Sequence, residues 1–151
     1  MLDELDRELE RRGHRLVRYA DDCNIYVRSL KRRIRQLARR TRGVSIEQMV
    51  EKLSRYRYGW RGYYGYCETR STLEDLDKWI RRRLRAVIWK RGRRRYAGLR
   101  EHGVRGSLAA KTAGSSHGLW RIARSPALNY VFPNAYWDSL GLPRLTARKR
   151  A

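Results

Sequence analysis

Asp21 and Asp22 stand side by side after Tyr19-Ala20, between the runs Arg15-Leu16-Val17-Arg18-Tyr19 and Cys23-Asn24-Ile25-Tyr26-Val27. Adjacent carboxylates repel when both are ionised, so they favour a cation that neutralises them. The chemistry open to such a pair is phosphoryl transfer, with divalent ions stabilising the attacking and leaving oxygens. Aspartate is also an ordinary turn residue, which accounts for the pair without chemistry. The other candidates are cationic: Arg32, Arg33, Arg39, Arg40 and Arg42, then Arg81, Arg82, Arg83 and Arg85, then Arg93, Arg94 and Arg95. A guanidinium fork grips phosphate oxygens bidentately and stacks on bases, whereas an ammonium acts as a point charge. Cys23, Cys67, His14, His102 and His117 fall in no metal-ligand spacing and form no disulfide framework.

The charge balance points the same way. Of 151 residues, 37 are Lys or Arg against 15 Asp or Glu, a formal net charge of +22, and arginines outnumber lysines 31 to 6. A sequence pI near 11.2 with this bias favours nucleic acid over anionic lipid as the partner. Five acids fall in residues 1–10, but none between Cys23 and Ile46 or between Lys78 and Arg100. No apolar run approaches a membrane span and no apolar leader opens the chain, so the expected compartment is the reducing cytoplasm. Five Trp, ten Tyr and 41% hydrophobic residues are enough for a core, which disfavours disorder.

These residues need elements to position them. Leu2, Leu5 and Leu9 predict a short amphipathic helix over 2–12, stopped at Gly13. The runs 15–19 and 23–27 read as a β-hairpin with the carboxylates at its tip. Leu30, Ile34, Leu37 and Ala38 form a helical stripe inside an Arg-rich segment. Ser45-Ile46-Glu47-Gln48 is a capping box for a helix running into Tyr56–Tyr66, and Ser71-Thr72-Leu73-Glu74 reads as a second box. The helix after it buries Leu73, Leu76, Ile80, Leu84, Val87 and Ile88. A short helix is expected around Tyr96 and Leu99. Glycines and serines make 103–118 the weakest segment. Ser125-Pro126 suits an N-cap and first turn, and Asn134 the cap of a last helix over 135–140, ended by Gly141.

The string Tyr19-Ala20-Asp21-Asp22 resembles the Tyr-x-Asp-Asp motif of reverse transcriptases. With Leu2-Asp3-Glu4-Leu5-Asp6 before it, it is similar to group II intron-encoded reverse transcriptase/maturases. Thr41-Arg42-Gly43, Gly59-Trp60-Arg61-Gly62-Tyr63-Tyr64, Trp79–Arg85 and Pro133-Asn134-Ala135-Tyr136 resemble that family's maturase-specific thumb, in family order. The resemblance implies a mainly α chain: a helical thumb with a short N-terminal helix and a β-hairpin remnant of a polymerase palm. The implied division is a palm remnant over 1–29, a maturase region over 30–145 and a basic tail over 146–151. It also implies that Asp21 and Asp22 are the catalytic and Mg2+-binding pair. The implied partners are structured group II intron RNA and, beyond it, a chain completing the palm, with no membrane. Against the family pattern, Leu30-Lys31-Arg32-Arg33 follows the hairpin at once, without further palm strands, and no third metal-binding Asp precedes it.

Two functions remain in competition. One is an RNA-binding maturase fragment with polymerase ancestry, itself unable to extend a primer. The other is a non-catalytic basic RNA assembly protein, which accounts for the charge but not for the ordered motifs. Trp60, Tyr63 and Tyr64 are expected in a helical core, leaving the arginines to meet RNA.

Overall fold

The computed structural model describes residues 23–39, 43–64, 70–142 and 144–146. Among these residues eight helices follow one another and no strand occurs. They are α1 Cys23–Leu37, α2 Ile46–Tyr64, α3 Arg70–Arg91 and α4 Arg95–Glu101, then α5 Gly106–Ala113, α6 Leu119–Ile122, α7 Pro126–Val131 and α8 Asn134–Ser139.

One expected strand is a helix. Cys23–Val27, read from its apolar run as half of a hairpin, opens α1 instead. Val27, Leu30, Ile34 and Ala38 recur at helical spacing, and the last three are fully buried. That stripe continues the helical period through Val27, and burying it outweighs the alternation of a five-residue run. The helix expected at 2–12, the run 15–19, and Asp21 and Asp22 lie outside the described residues.

Helix α2 begins as its sequence predicts. The Gln48 amide donates to Ser45 Oγ at 3.2 Å, and the Ser45 amide donates to Gln48 Oε1 at 3.3 Å. Both halves of a capping box are therefore made. Hydrogen bonding to its own backbone amide, then to Ser45, holds the Glu47 carboxyl below its ordinary value of 4.5. The second box is not formed. Ser71 lies within α3, one residue after Arg70, and Glu74 pairs with Arg70 at 3.0 Å one turn away. The segment expected to be weakest contains α5, whose Ala109 and Thr112 are buried. Packing there overrides the low helix propensity of glycine and serine.

Helix α3 is the common wall of two cores. At about 1.5 Å per residue its 22 residues span roughly 33 Å. Leu76, Ile80, Leu84 and Val87 pack with Leu30 and Ile34 of α1, Met49, Val50, Leu53 and Trp60 of α2, and Trp137 of α8. Near its other end, Trp89 joins Leu99, Val104, Ala109, Ile122, Ala127 and Leu128 in a second cluster. Phe132 touches both.

Two glycines turn the chain back into these cores. Gly103 and Gly141 take φ of +81° and +79° after α4 and α8. In each case the amide one residue further on bonds five residues back, Val104 to Leu99 at 3.0 Å and Leu142 to Trp137 at 3.0 Å. These are glycine-ended helix caps that drive the following apolar residue inward, and Val104 and Leu142 are 2% and 1% exposed. At the start of α7, the Leu128 amide donates to Ser125 Oγ at 3.4 Å, the expected cap.

Between α2 and α3 lies a buried charge. Arg57, 1% exposed, donates to Asp77 Oδ1. Asp77 Oδ2 accepts the Leu145 amide at 2.8 Å, and Arg81 approaches Asp77 at 3.8 Å and Asp138 at 3.5 Å. Removing one partner of such a pair strands the other charge. Asp77→Ala should therefore destabilise by about 3–5 kcal/mol in denaturant unfolding. Glu51→Ala, which removes the exposed partner of Arg55, should cost no more than about 0.5 kcal/mol. A second expectation concerns acid. The stability linked to Glu47 is present above 4.5 and is lost as pH falls through the lower folded value, so Glu47→Gln should flatten the acid limb of the stability–pH curve.

Candidate nucleic-acid interface

The arginines divide into two populations according to what their guanidinium groups meet. On α3, Arg82 donates through Nε and Nη2 to the Trp120 carbonyl at 3.0 and 2.8 Å. One turn on, Arg85 Nε donates to the Ala123 carbonyl at 3.0 Å and Nη1 to the Phe132 carbonyl at 3.4 Å. Arg91 holds the Val44 carbonyl at 2.6 Å. These side chains are clamps: each satisfies carbonyls near helix ends that lack a helical partner. The arrangement crowds like charges. Burial, then Arg81 and Arg82, lower the pKa of Arg85, while burial and Arg124 lower that of Arg82.

The second population faces solvent. Arg28, Arg32, Arg33 and Arg35 of α1 and the following Arg39 are all exposed, and α1 carries no acid. Arg33 donates to Gln36 at 3.2 Å, within its own helix. Lys31 and Arg35, one turn apart, both sit over the Trp79 ring of α3, at 5.9 and 5.6 Å from its centroid. Trp79 lies 6.3 Å from Trp120 of α6, with planes tilted by 55°. Arg82 covers Trp120 at 4.2 Å. A contiguous chain of cations and half-buried indoles thus crosses α1, α3 and α6. Phosphates can meet the cations, and unstacked bases can meet the rings. A further exposed cluster, Arg93, Arg94 and Arg95, leads into α4, with Arg95 over Trp89 at 5.3 Å.

Of the arginines singled out by the sequence, Arg32, Arg33, Arg39, Arg93, Arg94 and Arg95 lie on the surface. Arg81 is 5% exposed within the Asp77–Asp138 network, and Arg82, Arg83 and Arg85 are half-buried. Arg40 and Arg42 lie outside the described residues, as do Asp21 and Asp22. Trp60 is in the core, as expected of it. Sequence reasoning missed Lys31, Arg35, Trp79 and Trp120. The four-residue spacing of Lys31 and Arg35 was a usable signal; the meeting of Trp79 with Trp120 had none. Among the described residues no group of three or more His, Cys, Asp or Glu gathers where a metal could sit. No helix there is long and apolar enough to cross a membrane.

A family model describing the group II intron maturase-specific domain matches residues 27–103, just over half the chain. The match covers α2, α3 and α4 and α1 from Val27 onward; Trp120 lies beyond it. No curated protein matches the chain. The split between the two arginine populations has a direct test. Arg82→Gln, which breaks two charge-assisted bonds and a ring contact, should lower stability by about 1.5–3 kcal/mol in denaturant unfolding. Arg32→Gln should leave the unfolding midpoint unchanged.

Proposed function

The chain belongs to the group II intron maturase-specific domain family, and from that premise we propose that it binds structured intron RNA through the cation–indole face of α1, α3 and α6 to assist splicing. The observation that carries this reading is Trp79, whose ring has Lys31 and Arg35 over it and Trp120 as a tilted neighbour. A solvated basic face needs no aromatic rings. A face that receives both backbone and unpaired bases does, because folded RNA presents phosphates on its helices and splayed bases in its loops.

A generic assembly protein would show the same charge, so discrimination rests on shape. The chain should prefer group II intron RNA to an RNA duplex of equal length at near-physiological salt, because its shape-specific contacts weaken less with salt than counterion release does. Equal affinity at every salt would favour the assembly reading. Replacing Lys31 and Arg35 by Gln should reduce the log–log salt slope by about 0.7–0.9 for each phosphate no longer neutralised. Trp79→Leu should weaken intron binding by about 1–3 kcal/mol if one base stacks there, with little change in the slope.

Polymerase chemistry would fall to Asp21 and Asp22 through Mg2+, which supplies charge neutralisation at a transferring phosphoryl group when bound. Two carboxylates fill only part of an oxygen shell, and in-line placement of the reactants is worth roughly 7–11 kcal/mol of barrier. The proposal is that this chain alone does not extend a primer. Templated synthesis with Mg2+ or Mn2+ that Asp21→Ala, Asp22→Ala abolishes would contradict it.

A further inference from the structure

Between Glu101 and Asp138 the chain carries no acid. Within that stretch, α5, α6 and α7 enclose a cleft of about 410 Å³, a size in the range that holds small-molecule ligands. Leu108, Ile122 and Pro126 give its lining an apolar part, and Lys111, Arg121 and Arg124 line it with cations. All three cations are exposed, whereas Ile122 is anchored in the second core. The walls are fixed by local bonds: Thr112 Oγ1 donates to the Leu108 carbonyl at 2.7 Å, and Ser125 caps α7.

We propose that this cleft takes one nucleotide of single-stranded RNA, with its two flanking phosphates on Lys111, Arg121 and Arg124 and its base and ribose against Leu108, Ile122 and Pro126. The inference rests on the RNA reading above and adds a site outside the matched segment. Three observations support it. A concave wall lined by one sign of charge focuses the field and concentrates a polyanion. Arg124 of the lining also lies close enough to Arg82 of α3 to lower its pKa, second to the burial of Arg82 itself, a repulsion that a phosphate bound at Arg124 relieves. Continuity is the third. Trp120, the last indole of the cation–indole face, directly precedes Arg121 of the cleft, so one short helix, α6, contributes to both. A duplex keeps its bases stacked inside; only an unpaired nucleotide can lay its base on Leu108 and Ile122.

The test uses the full chain and a fluorescein-labelled oligouridylate of about eight nucleotides, followed by anisotropy across a salt series. Lys111→Gln, Arg121→Gln, Arg124→Gln together should weaken oligouridylate binding at least about tenfold and reduce the salt slope by about 1.4, the two phosphates flanking the nucleotide at roughly 0.7 each. Circular dichroism melting should be unchanged, because all three side chains are exposed. Leu108→Ser should weaken the oligouridylate and spare inorganic polyphosphate; equal losses for both would overturn the placement of the base. A folded triple variant that binds oligouridylate like wild type would overturn the cleft proposal. So would a wild-type chain that binds intron RNA but no oligouridylate, and in that case the RNA reading would stand. Binding to neither RNA would overturn both.

Discussion

A carboxylate buried in a protein of charge +22 holds this fold in register. Asp77 sits 5% exposed on α3 with the buried Arg57 of α2 against one oxygen and the Leu145 amide against the other. Arg81, one turn along α3, extends the network to Asp138, which also takes Arg144 at 2.7 Å. The elements joined in this way are α2, α3, α8 and the C-terminal turn, which wall the larger core together with α1. Taking such ions out of water costs several kcal/mol each, so the pair is a weak source of net stability. What it supplies is geometry. A chain with more than twice as many cations as acids must place its few carboxylates where a misplaced arginine would otherwise be stranded.

That network explains why α3 can carry so many arginines. A helix with Arg81, Arg82, Arg83 and Arg85 in five residues would repel itself if all four pointed into the same solvent. The fold sends Arg81 to acids, and Arg82 and Arg85 to backbone carbonyls near the ends of α6 and α7. Outward arginines are then carried by α1, by the approach to α4 and by Arg121 and Arg124. Arg82 belongs to both halves, gripping the Trp120 carbonyl while covering its ring. The same residue that docks α6 therefore also covers its indole.

How much of this is legible in the sequence depends on the range of the deciding contact. Ser45–Gln48, Ser125-Pro126 and Gly141 act over three to five residues, and each performs the role its local chemistry predicts. Cys23–Val27 is ambiguous because a five-residue apolar run suits strand or helix equally, and Leu30 and Ile34, which lie beyond it, decide for helix. Helix α5 is masked in the sequence by its glycine and serine, whose low propensity is overridden by burial of Ala109. For the candidate site, charge and arginine bias point to nucleic acid, and the exposed cations of α1 are within reach of pattern reading. The fate of Arg82 and Arg85 is not. Their partners lie 38 residues away, and nothing in a helical repeat says which neighbour a face will meet.

RNA lying on Trp79 and Trp120, with the other indoles kept inside, is the central claim. The chain has five tryptophans, so the side-chain N–H signals of a 15N-labelled sample report each site separately during titration with group II intron RNA. The Trp79 and Trp120 signals should shift or broaden at stoichiometric RNA, while those of the buried Trp60 and Trp137 hold their positions. Saturable RNA binding that leaves Trp79 and Trp120 unmoved would contradict it.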